Sequence, residues 1–189
     1  MRKKIELNTI FEAAKKVFAE FDFKKATLQD IADELSVTNS NLYLYFEGKR
    51  ELYNATICFY LEKWLDKCFT PLAAMKDPRA QFNFLLKNAV LYLLEDEALA
   101  AILKKDEEFF SAFSESPRFD KVYTRMIDEL AEIIRLGAEF DLMRSFDADA
   151  AAAALLNIYL YLIIKPALMG ENLNIAALED LIKYGLFIT

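Results

Sequence analysis

The sequence contains no histidine and only two cysteines among its 189 residues. Histidine and cysteine are the common protein ligands of zinc and other transition metals, so we expect no metal site. The sequence also lacks a nucleophile–base pair and a glycine-rich phosphate loop, the usual constellations of catalytic and cofactor sites. An enzyme is therefore the least favoured class, and we expect neither catalytic residues nor a cofactor.

The two cysteines, Cys58 and Cys68, stand ten residues apart within one predicted helix. A helix rises about 1.5 Å per residue, which separates their α-carbons by about 15 Å and excludes a disulfide between them. Two interpretations remain open: buried free thiols in a reducing cytoplasm, or a redox sensor.

Helix breakers are scarce as well, since the chain has only 4 Gly and 4 Pro while 55% of its residues are hydrophobic. Sheet proteins need many turns, so few breakers predict long helices and an all-α fold. The most apolar stretch, residues 150–164, is shorter than the roughly 18 residues expected of a bilayer span. With no signal-peptide pattern at the N-terminus, we expect a cytoplasmic protein without a membrane partner.

The net charge of −7 is unevenly distributed along the chain. Residues 1–50, called the head below, hold nine Lys or Arg and eight Asp or Glu, whereas residues 51–189, called the body, hold 14 basic and 22 acidic residues. A DNA duplex meets a local surface rather than the whole chain, so the acidity of the body does not exclude nucleic-acid binding by the head.

Apolar residues recur in the head with the period of a helix. The first set follows the spacing i, i+3, i+4, i+7, i+8, i+11 and comprises Ile10, Ala13, Ala14, Val17, Phe18 and Phe21. The segment at Asp22 interrupts this pattern, and Thr27 with Asp30 then predicts a capping box at the start of a second, short helix. Its apolar face comprises Leu28, Ile31, Ala32 and Leu35.

A short turn at Ser36 and Val37 precedes a third predicted helix, which runs from Asn39 to about Phe46 with Thr38 as its N-cap. Three short helices with a tight turn between the second and the third have helix-turn-helix geometry. The residues that remain on the outer face of the third helix are Thr38, Asn39, Ser40, Asn41 and Tyr43. These polar residues are typical of a helix that enters the major groove of DNA, or else of the solvated face of a small bundle.

The order and spacing of these residues are distinctive. The pattern is Ile10-x2-Ala13-Ala14-x3-Phe18, then Phe23-x3-Thr27-x2-Asp30-Ile31-Ala32, then Val37-Thr38-Asn39-Ser40-Asn41-Leu42-Tyr43-x-Tyr45-Phe46-x2-Lys49-Arg50-x-Leu52. It resembles the signature of the TetR family of repressors over about 45 residues of the head. The resemblance says little about the body, which diverges widely in that family.

The resemblance implies a set of DNA-contacting residues: Thr27, Gln29, Thr38, Asn39, Ser40, Asn41, Tyr43 and Lys49. Thr27 would cap the second helix and touch a phosphate, while Gln29 would lie at the edge of that helix facing the groove. Tyr43 would contact the duplex, and Lys49 would clamp a phosphate at the start of a fourth helix.

Three positions depart from the family pattern. Asp22 and Ser36 stand where the family usually has glycine, so a left-handed backbone conformation is expected at both. Leu44 stands where histidine or a bulky polar residue is usual. The operator sequence of a relative is therefore not transferable to this chain.

The body consists of further predicted helices separated by breakers, which gives about nine helices in all. The predicted segments are 49–69, 79–95, a less regular stretch at 97–114, 118–139, 148–169 and 174–187. We expect two domains: a helix-turn-helix DNA-binding domain at residues 1–50 and an effector-binding and dimerisation domain at residues 51–189.

The helix predicted at 148–169 carries a broad apolar surface formed by Ala150, Ala151, Ala154, Leu155, Ile158, Tyr159, Leu162 and Ile163. The surface predicts either an intramolecular core or a homodimer interface, because a monomer would struggle to bury all of it. The resemblance implies the homodimer, formed through the last two helices at about 148–187. Two-fold symmetry would then place two recognition helices about 34–36 Å apart and favour a near-palindromic operator.

Aromatic residues are dense in the body, as expected of an ordinary core and also of a ligand cavity. The residues predicted to line an effector pocket are Phe59, Lys63, Phe84, Asn88, Phe110, Tyr123 and Tyr159. The expected function is that of a ligand-responsive repressor, which a small apolar or aromatic effector releases from double-stranded DNA. The alternative is a helical ligand-binding or adaptor protein with a degenerate, weakly DNA-binding head.

Overall fold

Helices account for nearly all regular structure in the part of the chain that the structure describes. The structure is a computed structural model that describes residues 5–106, 108–113, 117–173 and 175–188. Its helices are α1 Leu7–Lys25, α2 Leu28–Glu34, α3 Asn39–Leu42, α4 Lys49–Phe69, α5 Pro78–Glu95, α6 Glu97–Lys105, α7 Phe109–Ala112, α8 Asp120–Glu139, α9 Ala148–Met169 and α10 Ile175–Gly185. The predicted all-α fold is confirmed.

The third helix ends at Leu42 instead of the predicted Phe46, and the segment predicted at 97–114 contains two helices, α6 and α7. Beyond Leu42 the backbone tightens into a turn, where the Tyr45 amide donates to the Leu42 carbonyl at 3.0 Å. The Tyr45 hydroxyl accepts a hydrogen bond from the Ile5 amide at 2.8 Å, which ties this turn to the start of α1. Ser114 and Asn174, the predicted ends of two segments, lie outside the described residues.

Asp22 and Ser36 have positive φ angles of 61° and 53°, which confirms the expectation at both positions. At Asp22 a ψ of 170° places the backbone in a region that is almost restricted to glycine, and α1 kinks there. The Asp22 carboxylate accepts from the amides of Lys24 at 2.8 Å and Lys25 at 3.1 Å. These hydrogen bonds lower the pKa of Asp22, and the bond from the Lys25 amide has the larger effect.

The core of the head forms where α1, α2 and α3 meet the start of α4. Its fully buried residues include Ile10, Ala14, Ile31, Leu42 and Leu52. The predicted buried face of α1 is confirmed as far as Phe18. Phe21 is 42% exposed, because it lies in the last turn before the kink and beyond the packed face.

The body is built around α4, which begins in the head and continues between α5 and α8. Its Trp64 indole donates to the Ala89 carbonyl of α5 at 2.8 Å. The α4 helix ends before Pro71, and a 3₁₀ turn, Thr70–Ala74, leads to α5. Helices α8 and α9 pack against each other over much of their length.

The long helix α9 is not uniform, because residues Leu160–Ile164 form a π-helical turn. Pro166 follows directly and has no amide to donate, and its ring would clash with the carbonyl four residues earlier in a regular α-helix. The wider turn before Pro166 accommodates this constraint. At the C-terminus, an isolated antiparallel bridge between Met143 and Phe187 ties the tail to the α8–α9 loop.

By length and composition α9 could cross a membrane, with a mean hydropathy of 1.7 over its most apolar window. The helix has the predicted bounds, 148–169, but its apolar part is longer than the stretch at residues 150–164 from which no membrane span was expected. Only 33% of that window is buried, so part of its apolar surface is available to a further partner.

Both cysteines are free thiols, with Cys58 half-buried and Cys68 buried. Burial raises the pKa of both, that of Cys68 to about 12. Since the thiolate is the reactive form, these environments favour structural thiols over a redox sensor.

Candidate DNA-binding face, effector cavity and dimer face

The start of α2 is held by the predicted capping box. The Thr27 hydroxyl donates to the Asp30 carboxylate at 2.7 Å and accepts from the Asp30 amide at 3.1 Å, while the Thr27 amide donates to the same carboxylate at 2.8 Å. The hydrogen bonds from Thr27 lower the pKa of Asp30. The cap fixes the angle at which α2 leaves α1, and with it the position of α3.

The outer face of α3 and its following turn is exposed at Thr38, Ser40, Tyr43 and Leu44, whereas Asn39 and Asn41 are half-buried. Thr38 occupies the N-cap position, but its side chain makes no capping hydrogen bond. The Asn39 Oδ1 is buried and has no hydrogen-bond partner among the described residues. The predicted polar residues therefore lie together, although they are not equally accessible.

Gln29 is exposed on α2, and its amide nitrogen donates to the Asp33 carboxylate at 2.7 Å. Leu44 was not among the predicted site residues, although it is 57% exposed beside Tyr43. The sequence signal for its exposure was the helical spacing, since Leu44 lies four residues after Ser40 and so falls on the same face.

Lys49 lies at the first position of α4, where its ammonium group binds the end of α1. It donates to the carbonyls of Phe23 at 2.7 Å and Ala26 at 2.8 Å, and it lies 4.6 Å from the centre of the Phe23 ring. These contacts fasten the α1–α2 loop to α4. Sequence reasoning missed this intramolecular role, because it depends on how α1 packs against α4.

A cavity of about 60 Å³ lies in the body between α4, α5, α8, α9 and α10. Its walls include Trp64, Phe82, Met126, Leu156, Tyr159 and Leu178. The Tyr159 hydroxyl donates to the Leu86 carbonyl and accepts from the Val90 amide, both at 3.2 Å. Burial raises the pKa of Tyr159. The Tyr159 hydroxyl and the Trp64 indole N–H both form hydrogen bonds with the backbone of α5. Neither group is free to bind a ligand, so the cavity presents an apolar wall.

Of the seven residues predicted to line an effector pocket, Tyr159 is at this cavity and the other six lie elsewhere. Phe59 stacks on Phe11 of the head at 4.7 Å between ring centres, and the Lys63 ammonium lies over the Phe59 ring. Phe84 packs near Tyr92, and the Asn88 amide nitrogen bonds back to the Phe84 carbonyl.

The remaining two residues of that prediction lie closer to α9. Phe110 packs on Phe109 and accepts, through its carbonyl, a hydrogen bond from the Tyr161 hydroxyl at 2.8 Å. The Tyr123 hydroxyl accepts from the Asn157 amide at 3.1 Å. The structure thus distributes these residues among several packing contacts instead of bringing them together.

Residues 10–56 match the family model described as bacterial regulatory proteins, tetR family. The match covers α1 to α3 and the start of α4, with Thr27, Ser40, Tyr43 and Lys49 inside it. The head is therefore similar to the DNA-binding head of the TetR family. A curated relative, the HTH-type transcriptional regulator RutR of Escherichia coli, is 36% identical over 74 residues. That alignment covers 36% of this chain and 35% of the relative, so it spans about a third of the relative's length.

Solved structures extend the likeness of fold to the whole chain. A TetR transcription regulator from Haloarcula marismortui has a TM-score of 0.77 at 20% identity, covering 96% of this chain and 98% of that one. The fatty acid degradation regulator FadR from Bacillus halodurans has a TM-score of 0.76 at 18% identity, covering 96% of each chain. SmeT, the repressor of a multidrug efflux pump in Stenotrophomonas maltophilia, has a TM-score of 0.75 at 16% identity, covering 98% and 92%.

The head is joined to the body by more than the continuous helix α4. Helix α1 packs against α6, where the Lys105 ammonium donates to the Ala19 carbonyl at 2.7 Å. Lys15 of α1 forms an ion pair with Asp96 at 2.9 Å.

A buried polar cluster, called the junction below, consists of Tyr53, Asp106 and Arg118. The Asp106 carboxylate accepts from the Tyr53 hydroxyl at 3.0 Å and pairs with the Arg118 guanidinium at 2.6 Å. The side chains of Asp106 and Arg118 are only 7% and 10% exposed. Burial is the main cause that raises the pKa of Tyr53, and the negative charge of the nearby Asp106 carboxylate raises it further. Tyr53 also packs edge-on against Phe18, so the junction connects α4 and α1 with the region just before α8.

Large apolar side chains are exposed on the last two helices. They are Tyr161 and Leu162 on α9, and Leu181 and Tyr184 on α10. Ala154, also exposed, lies on α9 one helical turn before Ile158. We call this surface the α9–α10 face.

Proposed function

We propose that this chain is a ligand-responsive transcriptional regulator that represses genes by binding a near-palindromic operator as a homodimer. The observation that carries the proposal is the exposed polar surface of α3, held in place by a capped α2 and a tethered α4. Thr38, Ser40 and Tyr43 are the exposed residues of this surface that can bond to bases or phosphates.

The other proposed contacts are assigned by their positions. Thr27 and Gln29 flank the groove from the start of α2, while Asn39 and Asn41 need a small rotation to reach a base, because they are half-buried. Lys49 supports the site from within, and it contacts a phosphate only if it releases one of its carbonyl partners. The head at residues 1–50 supplies the DNA contacts, and the body at residues 51–189 supplies effector binding and dimerisation.

The α9–α10 face is the proposed homodimer interface. Exposed tyrosines and leucines on the last two helices are the composition of an interface core. A second copy that buried this face would also explain why α9 is apolar enough to span a bilayer although only 33% of its most apolar window is buried. If the dimer buries the apolar surface of α9, that surface needs no membrane to cover it. We therefore propose that the protein is cytoplasmic.

The proposed effector is small and apolar or aromatic, because the cavity in the body presents apolar walls. Its 60 Å³ are below the roughly 300–1,000 Å³ of typical ligand sites, so binding must displace side chains. Solved structures of this fold have diverse associations: one is a regulator of fatty acid degradation, and another is a regulator in complex with choline. The cavity wall, not a neighbour's ligand, therefore supports the apolar class.

The junction offers a route from effector to DNA. Met126 and Leu130 of α8 line the cavity, and α8 begins two residues after Arg118. Displacement of α8 would strain the ion pair of Arg118 with Asp106, whose partner Tyr53 lies on the helix that leaves the head. An effector that binds the displaced conformer more tightly would shift the dimer towards heads that no longer match the operator.

The deciding experiment is footprinting of the purified full chain on genomic fragments, including the region upstream of its own gene. We expect a protected site with two half-sites, whose affinity falls steeply as salt rises from about 50 mM. Thr38→Val should weaken protection, whereas the matched variant Thr70→Val, at an exposed threonine in the body, should not. No protected site at low salt would overturn the proposal.

The second candidate is a helical ligand-binding or adaptor protein with a degenerate head. It is favoured by the exposed Leu44 in the polar surface and by the engagement of Lys49 within the protein. Duplex binding that is absent at about 50 mM salt, together with a folded dimer that binds apolar ligands, would support this candidate.

A further inference from the structure

Leu44 is an apolar residue on the surface that is proposed to face DNA. Its side chain is 57% exposed, and it follows α3 at the point where Leu42 and Phe46 turn inward. Ser40 and Leu44 are both exposed, whereas Leu42 and Phe46, which stand between and after them in the sequence, are buried. The position of Leu44 thus places an apolar group at the edge of the recognition surface.

The neighbours of Leu44 limit what it can contact. Tyr43 is also exposed, at 56%, and its hydroxyl makes no hydrogen bond within the described residues, while Thr38 and Ser40 are polar. A leucine has no donor or acceptor, so it cannot satisfy the hydrogen-bonding groups of adenine, guanine or cytosine. Covering those groups would leave them unpaired, which is unfavourable.

The major groove displays one apolar group, the C5-methyl of thymine. We infer that Leu44 reads the methyl group of a thymine in each half-site of the operator and so makes an A·T pair preferred at that position. This inference rests on the proposed DNA-binding function and adds a specificity-determining residue to it. In a homodimer the contact occurs twice, once in each half-site.

The test removes the methyl group and the leucine separately. The full-length protein selects its half-site from a random duplex library, and each thymine of the selected site is then replaced by deoxyuridine, which lacks only the methyl group. At one position per half-site we expect the substitution to weaken binding about fourfold, the effect of exposing one methyl-sized group. Substitution in both half-sites is expected to weaken binding about fifteenfold if the two contacts are independent.

The matching variant is Leu44→Ala, in which the same thymine-to-uracil substitution should change affinity less than about twofold. Leu91→Ala is the control, because Leu91 is similarly exposed, at 53%, but lies on α5 in the body. It should show the penalties of the wild-type protein at every thymine.

Two results would overturn the inference in distinguishable ways. Equal penalties in the wild-type protein and Leu44→Ala at every thymine would leave DNA binding intact but assign the methyl contact to another residue, such as Tyr43. A lack of selected duplexes for the folded wild-type protein would overturn the proposed function together with this contact.

Discussion

In the head, the exposed surface around α3 is made mostly of short polar side chains, whereas in the body the exposed α9–α10 face carries large apolar ones. Thr38 and Ser40 represent the first surface, and Leu162 and Tyr184 the second. A polar surface loses little by remaining hydrated until it meets DNA. An apolar surface of neighbouring helices is costly in water and favours permanent cover by a second copy.

The two regions also differ in how the chain holds them in place. In the head, side-chain caps and tethers at Asp22, Thr27 and Lys49 position short helices that could not stand alone. In the body, long helices are held mainly by apolar packing. The junction connects the region held by caps and tethers with the region held by apolar packing.

The largest effect is expected at the junction. Removing Asp106 by Asp106→Ala leaves the Arg118 guanidinium buried without its partner, and breaking a buried ion pair in this way costs about 3–5 kcal/mol. We expect the free energy of unfolding in urea to fall by this amount. A single shared transition would show that head and body unfold together, whereas two separate transitions would show that the junction joins two independent units.

The control for this variant is the double substitution Asp106→Leu with Arg118→Leu, which removes both charges. It should recover most of the lost stability, because no charge then remains buried alone. Equal stability of the single and double variants would contradict the assigned role of the ion pair.

The next effect separates two leucines of the head that stand two residues apart. Leu42 is fully buried and Leu44 is 57% exposed. Leu42→Ala should lower the free energy of unfolding by about 2–5 kcal/mol, because it leaves a cavity, whereas Leu44→Ala should change it by less than about 0.5 kcal/mol. Thermal or urea denaturation measures both, and a large loss for Leu44→Ala would refute the assignment of Leu44 to the surface.

The third effect concerns the α9–α10 face. Leu181→Glu places a charge in the proposed interface and should weaken dimerisation by about 2 kcal/mol or more, as expected for an interface hot spot. Analytical ultracentrifugation across a range of concentrations measures the shift towards monomer. Leu44→Glu, at a leucine of the head that is exposed to a similar degree, should leave the dimer unchanged. A wild-type monomer at high concentration would assign the face to another partner.

The sequence predicted the head more completely than the body, and the reason is physical. Capping boxes and positive-φ positions are local, so Thr27, Asp22 and Ser36 could be assigned from a few neighbouring residues. The order and extent of the long helices were also predictable from periodicity and breakers. The π-helical turn in α9 had a local signal as well, namely Pro166 inside an apolar helix.

What could not be predicted depends on packing between distant segments. In the sequence, nothing distinguishes Phe59 from Tyr159 as a residue that lines a cavity. In the structure, Phe59 packs against Phe11 of the head, whereas Tyr159 lines the cavity. The family resemblance predicted that Lys49 contacts a phosphate. Its hydrogen bonds to the carbonyls of Phe23 and Ala26 depend instead on how α1 packs against α4. Such pairings join residues that are 23 or more positions apart and leave no local pattern.

A smaller effect is expected from the cap of α2. Thr27→Ala removes the hydroxyl that bonds Asp30 and should lower stability by about 1 kcal/mol. Thr27→Ser keeps the hydroxyl and should lose far less, so the pair separates the cap from the threonine methyl group. Measured on DNA, a loss of affinity in Thr27→Ala beyond its loss of stability would support a phosphate contact by the same residue.

The smallest effect is a pH dependence that originates in the head. Hydrogen bonds from the Lys25 and Lys24 amides lower the pKa of Asp22, and those from Thr27 lower the pKa of Asp30. Stabilisation from each carboxylate is therefore fully present above the unfolded-state pKa of about 3.9 and is lost as the pH falls through the lower folded-state pKa. The double variant Asp22→Asn, Asp30→Asn keeps the acceptors and removes the charges.

The urea midpoint of the wild-type protein should therefore fall more between pH 7 and about pH 3 than that of the double variant. Asp128→Asn, at an exposed aspartate of α8, should follow the wild-type profile. Identical profiles for all three proteins would mean that the caps of the head contribute equally in their charged and neutral forms. A flattened profile in Asp128→Asn would instead place the acid-sensitive groups in the body and reverse the contrast between the two regions.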